Sequence, residues 1–117
     1  MSKEHKEYIP VSGNDKYTDI QVCVYYDKGG YDYFRCHEVQ RGFYILVCPV
    51  KRSNTSGCVL VEFEAFAGMK MLIKPVHRYS SKAFDEAVKD AEDVKNDLIY
   101  RVCFKQGITL CQEEIDD

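Results

Sequence analysis

The residues best suited to nucleophilic or metal chemistry in this 117-residue chain are six cysteines, at 23, 36, 48, 58, 103 and 111, and three histidines, His5, His37 and His77. No Cys-x-x-Cys pair is present, which removes the usual zinc-ribbon and thioredoxin spacings. The one adjacent pair, Cys36-His37, falls on an expected strand, where neighbouring side chains point to opposite faces and cannot act together. A metal would need three or four ligands. On the strand register argued below, Cys23, His37 and Cys48 share one face without a diagnostic spacing, so the expectation is an ordinary surface histidine among thiols, with no metal and no cofactor. Phosphate-binding glycine loops, His-Glu-x-x-His and Gly-x-Ser-x-Gly are all missing. The reading is non-enzymatic, with no catalytic residue assigned.

Composition bounds the rest. The chain is 45% hydrophobic and 30% charged, as expected for one soluble globular domain. The start, Met1 to Glu7, is too polar for a secretory signal, and no apolar run is long enough to cross a membrane, so a cytoplasmic protein is expected. In that reducing setting Cys23, Cys48 and Cys58, flanked by Val or Leu, read as small buried hydrophobes. The net charge is -3, and four of the acids lie in the last five residues, which leaves 15 acids against 16 Lys and Arg elsewhere. Phosphate-held nucleic-acid binders usually show a basic excess, and none is visible here.

The elements that would position these residues follow from periodicity. Residues 1–16 mix charges with Pro10, Ser12, Gly13 and Asn14 and read as an amino-terminal arm. From Tyr17 to Cys111 a single α+β domain is expected, and 112–117 form an acidic tail. Ile20, Val22, Val24 and Tyr26 alternate with polar and cysteine positions, which is a strand, and Lys28-Gly29-Gly30 supplies a turn. A three-residue loop there sets Val24 opposite Phe34, Val22 opposite Cys36, Tyr25 opposite Tyr33 and Gln21 opposite His37. After a turn at Gln40-Arg41-Gly42, a third strand holds Phe43, Ile45 and Val47, and a fourth runs from Cys58 to Phe66.

Met69, Leu72, Ile73 and Val76 fit a short helical face that Pro75 ends, with a fifth strand as the alternative. Ser80 or Ser81 caps a long helix over 82–105, whose apolar positions include Phe84, Ala87, Ala91, Leu98, Ile99 and Val102. At about 36 Å it spans the whole sheet. Asp85 and Glu86 lie near its start and Arg101 and Lys105 near its end, as its dipole prefers, and Gly107 stops it. Ile108 to Cys111 adds a short terminal strand. The expected object is a four-stranded antiparallel meander covered on one face by the long helix and the short one before it.

Seven aromatics, Tyr25, Tyr26, Tyr31, Tyr33, Phe34, Phe43 and Tyr44, cluster around the first two turns. On the expected register Tyr25, Tyr33, Tyr44 and Leu46 lie opposite the helix with Arg35 and His37. That face is too apolar to be only a solvated surface. Protein contact, either self-association or a docked partner, is the favoured use. Single-stranded nucleic acid stacked on the tyrosines, with Arg35, Arg41, Lys51 and Arg52 near its phosphates, is the alternative that the charge disfavours. A third reading has the amino-terminal arm or terminal strand covering the patch. A second cluster, Lys70, Lys74, Arg78 and Lys82, would form a basic stripe on a continuous helix; a solvated face is the commoner explanation, and an acidic segment its alternative occupant.

The string Tyr26-x-Lys28-Gly29-Gly30-x-x-Tyr33-Phe34, then Arg41-Gly42-Phe43-Tyr44-Ile45-x-Val47-x-Pro49-Val50 and Phe66-x-Gly68-x-Lys70, resembles a family of small uncharacterised proteins of gut bacteria and their mobile elements. The resemblance covers roughly residues 20–105. It implies a cytosolic accessory role on mobile DNA and brings no catalytic residues.

Overall fold

A computed structural model describes residues 3–12, 14–55, 57–63 and 67–110. In chain order it contains β1 (His5–Ser12), β2 (Asp19–Asp27), β3 (Gly30–Asp32), β4 (His37–Val39), β5 (Gly42–Thr55), β6 (Cys58–Phe63), β7 (Met69–Pro75), α1 (Ser81–Gln106) and β8 (Thr109–Leu110). The class is α+β, with an antiparallel main sheet and one carboxy-terminal helix. Among the described residues the sheet has six strands in place of the expected four, in the order β6-β5-β2-β1-β8, with β7 sharing the β6 side of β5. Among the described residues no helix is long and apolar enough to cross a membrane.

The central interaction is β2 against β5. Val22 faces Val47, Val24 faces Ile45 and Tyr25 faces Tyr44. The expected pairing of β2 with residues 31–37 does not form, and 28–41 instead leave the sheet as a small hairpin in which β3 pairs only with β4. The reason lies in composition. Residues 43–50 carry no charge and suit a central strand with both faces covered, whereas 32–37 include Asp32, Arg35 and His37.

Alternation along β2 and β5 sends Ile20, Val22, Val24, Phe43, Ile45 and Val47 toward α1, all nearly or fully buried. The helix answers with Phe84, Ala87, Ala91, Leu98, Ile99, Val102 and Cys103. Small residues at 87 and 91 let it approach the sheet closely. Its amino-terminal half is seated by an aromatic cluster in which Tyr26 and Phe43 lie 5.2 Å apart and Tyr79 is 5.8 Å from each. Ser80 caps the helix by accepting the Ala83 N–H at 3.0 Å, and Gly107, at φ 66°, ends it in a left-handed turn. Lys105 lies in the last turn as the dipole favours; the first turn has no acid, because the helix begins at Ser81 and leaves Asp85 and Glu86 beyond it.

Two segments differ from the sequence reading. Residues 5–12, expected as part of an arm, form a strand between β2 and β8. Val11 donates its N–H toward β2, at Thr18 O, so alternation turns the position of Pro10, which has no N–H, to the other side. Proline therefore costs no β1–β2 bond. Residues 69–75 form a strand, the alternative to the favoured short helix. A bulge opposite Phe43 and Tyr44 shifts the register of β7. Ile73 packs on the core and Lys74 reaches Glu86 on α1, which places two consecutive side chains toward the helix and mimics a helical spacing.

Gly42 lies where β5 meets the end of β7. A Cβ there would come 2.5 Å from Lys74 O and 2.9 Å from Pro75 Cα. Gly42→Ala is expected to destabilise the fold by about 1–3 kcal/mol in urea melts; an unchanged midpoint would show that the strands yield freely. Glu7 links β1 to α1 through Lys95 at 3.2 Å. Hydrogen bonding from His5 and then from Lys95 holds its carboxyl below the usual range, against the effect of burial. The depressed carboxyl contributes stability above its unfolded pKa and loses it as pH falls through the folded value. Glu7→Gln should remove that portion of the acid sensitivity, under about 1 kcal/mol, in thermal melts between about pH 3 and 7.

Candidate functional site

The face opposite α1 is built from Tyr8 on β1, Gln21, Cys23 and Tyr25 on β2, Tyr44, Leu46 and Cys48 on β5, and Lys70 and Leu72 on β7. Tyr25, Tyr44 and Leu46 thus lie on one face as the alternation predicts, with the valines beneath the helix. Tyr33 is not on this face. It sits at the hairpin tip, 84% exposed. Arg35 and His37 reach the outer side because the hairpin overhangs it, where they line a cavity with Tyr44 and Leu46. The seven clustered aromatics therefore divide three ways: Tyr26 and Phe43 in the core, Tyr25 and Tyr44 on the sheet, and Tyr31, Tyr33 and Phe34 on the hairpin.

On the sheet, the Tyr25 and Tyr44 rings stack at 6.1 Å and Lys70 Nζ lies 4.4 Å from the Tyr44 ring centre. Lys70 also reaches Asp27 Oδ2 at 3.4 Å. Burial lowers the Lys70 pKa, but the Tyr25 hydroxyl and the Asp27 carboxylate outweigh it and leave the amine above its ordinary value. Burial also lifts the Tyr25 phenol, with Lys70 pulling the other way. Lys70 stays charged beside an aromatic floor.

The hairpin is held at its base and at its tip. At the base, Gly29 donates its N–H to Asp27 Oδ1 at 2.8 Å, and Arg41 donates to Lys28 O at 2.8 Å and to His77 O at 3.2 Å. Tyr44 donates its hydroxyl to Gln40 O. Gly29, at φ 76°, has no room for a side chain, since a Cβ would lie 2.8 Å from Val39 O. At the tip, Asp32 Oδ1 accepts the N–H groups of Phe34 at 3.0 Å and Arg35 at 3.2 Å. The Arg35 N–H bond leads the effects that hold the Asp32 carboxyl below its usual range. Cys36 closes the turn at φ 55°. A short side chain that caps its own turn is the sequence signal for this tip, and the expected register through Tyr33–His37 does not use it.

Between the overhanging hairpin and the sheet lies a cleft of about 480 Å³. Arg35, His37, Glu38 and Gln40 contribute its upper wall, and Tyr44, Leu46, Lys70 and Leu72 its floor. The sequence places Lys70 in a basic stripe and Leu72 on a helical face, because a helix over this segment would separate both from Tyr44. The proposed basic stripe does not form. Lys70 belongs to the cleft, Lys74 turns to Glu86, Arg78 is exposed in the bend after β7, and Lys82 is exposed in the first helical turn.

The cysteines are likewise separated. Cys23, Cys48 and Cys103 are buried and Cys36 is exposed; Cys58 and Cys111 lie outside the residues whose side chains are described. Among the described residues no group of three or more His, Cys, Asp or Glu is placed to hold a metal. His37 lines the cleft, while Cys23 lines a different cavity with Lys6, Tyr8 and Val61, so the Cys23–His37–Cys48 set is not assembled. Burial pushes the Cys23 thiol up to about 11. With iodoacetamide at about pH 8, peptide mass mapping should find Cys36 modified first among Cys23, Cys36, Cys48 and Cys103; labelling of Cys23 at the same rate would contradict its burial. Comparison with known proteins finds no matching family model, no matching curated protein and no matching solved structure.

Proposed function

We propose that the protein is a non-catalytic docking module whose contact element is the β3–β4 hairpin, with Tyr31, Tyr33, Phe34 and Arg35 as its anchors. The observation that carries this reading is large aromatic surface displayed on a fixed backbone. Tyr31 is 50%, Tyr33 84% and Phe34 73% exposed. Tyr31 and Tyr33 brace each other edge to face at 4.8 Å. Rings on a tip already organised by Asp32 lose little conformational freedom on contact, and Tyr and Arg are enriched among residues that dominate binding energy. The partner is a protein, and a second copy of this chain is the simplest case. A role alongside mobile DNA, implied by the sequence resemblance, would use the same surface.

Single-stranded nucleic acid finds less support. Of the cations expected near its phosphates, Arg52 is engaged by Asp19 and Arg41 by two backbone carbonyls. A phosphate backbone would have to draw these cations from partners they already have. Salt-sensitive retention of single-stranded oligonucleotides by the full chain would favour that reading over protein docking.

The double variant Tyr33→Ser with Phe34→Ser removes the two most exposed aromatic anchors without touching the main sheet. It should leave thermal unfolding within a few degrees of the parent while lowering self-association in sedimentation, or capture of a partner, at least tenfold. Unaltered behaviour in both measurements would overturn the proposal. Asp32→Ala, which releases the two turn N–H groups, should give a smaller loss in the same assays.

A further inference from the structure

We propose that the cleft beneath the hairpin is a binding site for a small amphipathic carboxylate: an organic acid whose apolar body lies on Tyr44, Leu46 and Leu72 and whose carboxylate meets Arg35 and Lys70. This goes beyond docking at the tip and does not depend on it. The cleft, about 480 Å³, is within the range of small-molecule sites, which are mostly apolar with a few placed polar groups. Its floor meets that description. Tyr44 is 7% exposed and has its hydroxyl committed to Gln40 O, so it offers a small part of its ring, and the half-buried Leu46 and Leu72 supply most of the apolar floor.

Charge selects the head group. The side chains lining the cleft include two permanent cations, Arg35 and Lys70, and one carboxylate, Glu38. Neither cation is saturated by its neighbour. Arg35 lies 3.9 Å from Asp32 through one Nη, leaving most of its guanidinium donors for another acceptor. Lys70 has a side chain 25% exposed and is shared between Asp27 at 3.4 Å and the Tyr25 hydroxyl, which leaves one of its three donors. A carboxylate entering here would accept charge-assisted hydrogen bonds in a partly dried setting, where they exceed their strength in open water. His37, on the same wall, adds a further polar group without adding an acid.

The larger apolar groove elsewhere supplies a contrast. It measures about 690 Å³, lies between β1, β8 and the end of α1, and has no charged lining residue among Ile9, Asn96, Tyr100, Phe104 and their neighbours. It would take an alkyl chain irrespective of head group. Of these two cavities, the cleft under the hairpin is the one that should tell an acid from an amine or an alcohol.

The test titrates the isotope-labelled full chain with octanoate, octanol and octylamine, following backbone amide shifts. Octanoate is expected to move Gln40, Gly68, Lys70 and Leu72, and to bind at least tenfold more tightly than octanol, with octylamine weakest. Lys70→Met should lower octanoate affinity at least tenfold and leave octanol unchanged. Arg35→Gln, on the exposed hairpin, gives the same readout if the Lys70 variant folds poorly. Equal affinity for acid and alcohol, or shifts confined to Ile9, Tyr100 and Phe104, would overturn the proposal. The Tyr33→Ser and Phe34→Ser double variant should keep octanoate binding, so failure of tip docking and failure of this site are read separately.

Discussion

The direct pairing of β2 with β5 is the constraint from which the other features follow. Nine residues from Asp19 to Asp27 run antiparallel to nine from Val50 back to Gly42. Because side chains alternate, this one register decides that valine, isoleucine and Phe43 form the bed of the helix and that Tyr25, Tyr44, Cys23 and Leu46 face the other way. A slip by one residue would exchange the two sets and leave α1 packed on tyrosine hydroxyls and thiols. The pairing also fixes the fate of 28–41. With Asp27 opposite Gly42, both ends of that segment are brought together, and it must leave the sheet as a closed excursion.

Much of the fold could be read from the chain because its strongest periodicities are the ones that pack. The long helix, its serine cap, its glycine stop and the short strand after it rest on local signals that tertiary contacts reinforce. The inward set Ile20, Val22, Val24, Phe43, Ile45 and Val47 was legible for the same reason. The expected four-stranded meander was not found, because a Gly-Gly turn followed by aromatic residues suits a sheet hairpin as well as an excursion. What separates the two is charge. Asp32, Arg35 and His37 would have stood in a strand flanked on both sides, while 43–50 could occupy that position without burying a charge.

The β7 segment misled by a different route. Met69, Leu72, Ile73 and Val76 have the spacing of a helix, but in the sheet Leu72 lines the cleft and Ile73 lies on the core. A bulge breaks the period of two at the place where the apolar run would otherwise have revealed a strand. The candidate site inherits this ambiguity. Tyr44 and Leu46 were on the page from alternation alone, whereas Lys70 joins them only when its segment is a strand. The amino-terminal strand was hidden by Pro10, which reads as a breaker until its orientation in the ladder makes the missing N–H harmless.

Placing the hairpin outside the sheet also changes what its aromatic residues imply. Had 31–37 been a strand, Tyr33 would have been one ring of a sheet face, partly covered by neighbours. In the excursion it is largely exposed, on a turn whose N–H groups and flanks are nonetheless tied by Asp32, Asp27 and Arg41. Ordering such a segment costs conformational entropy, and rings left in water return little of it through burial. The base contacts compensate part of that cost by fixing the hairpin over Tyr44, and in doing so they create the cleft. The same tether therefore serves both surfaces, with the tip turned outward and the underside closed on a lysine and an apolar floor.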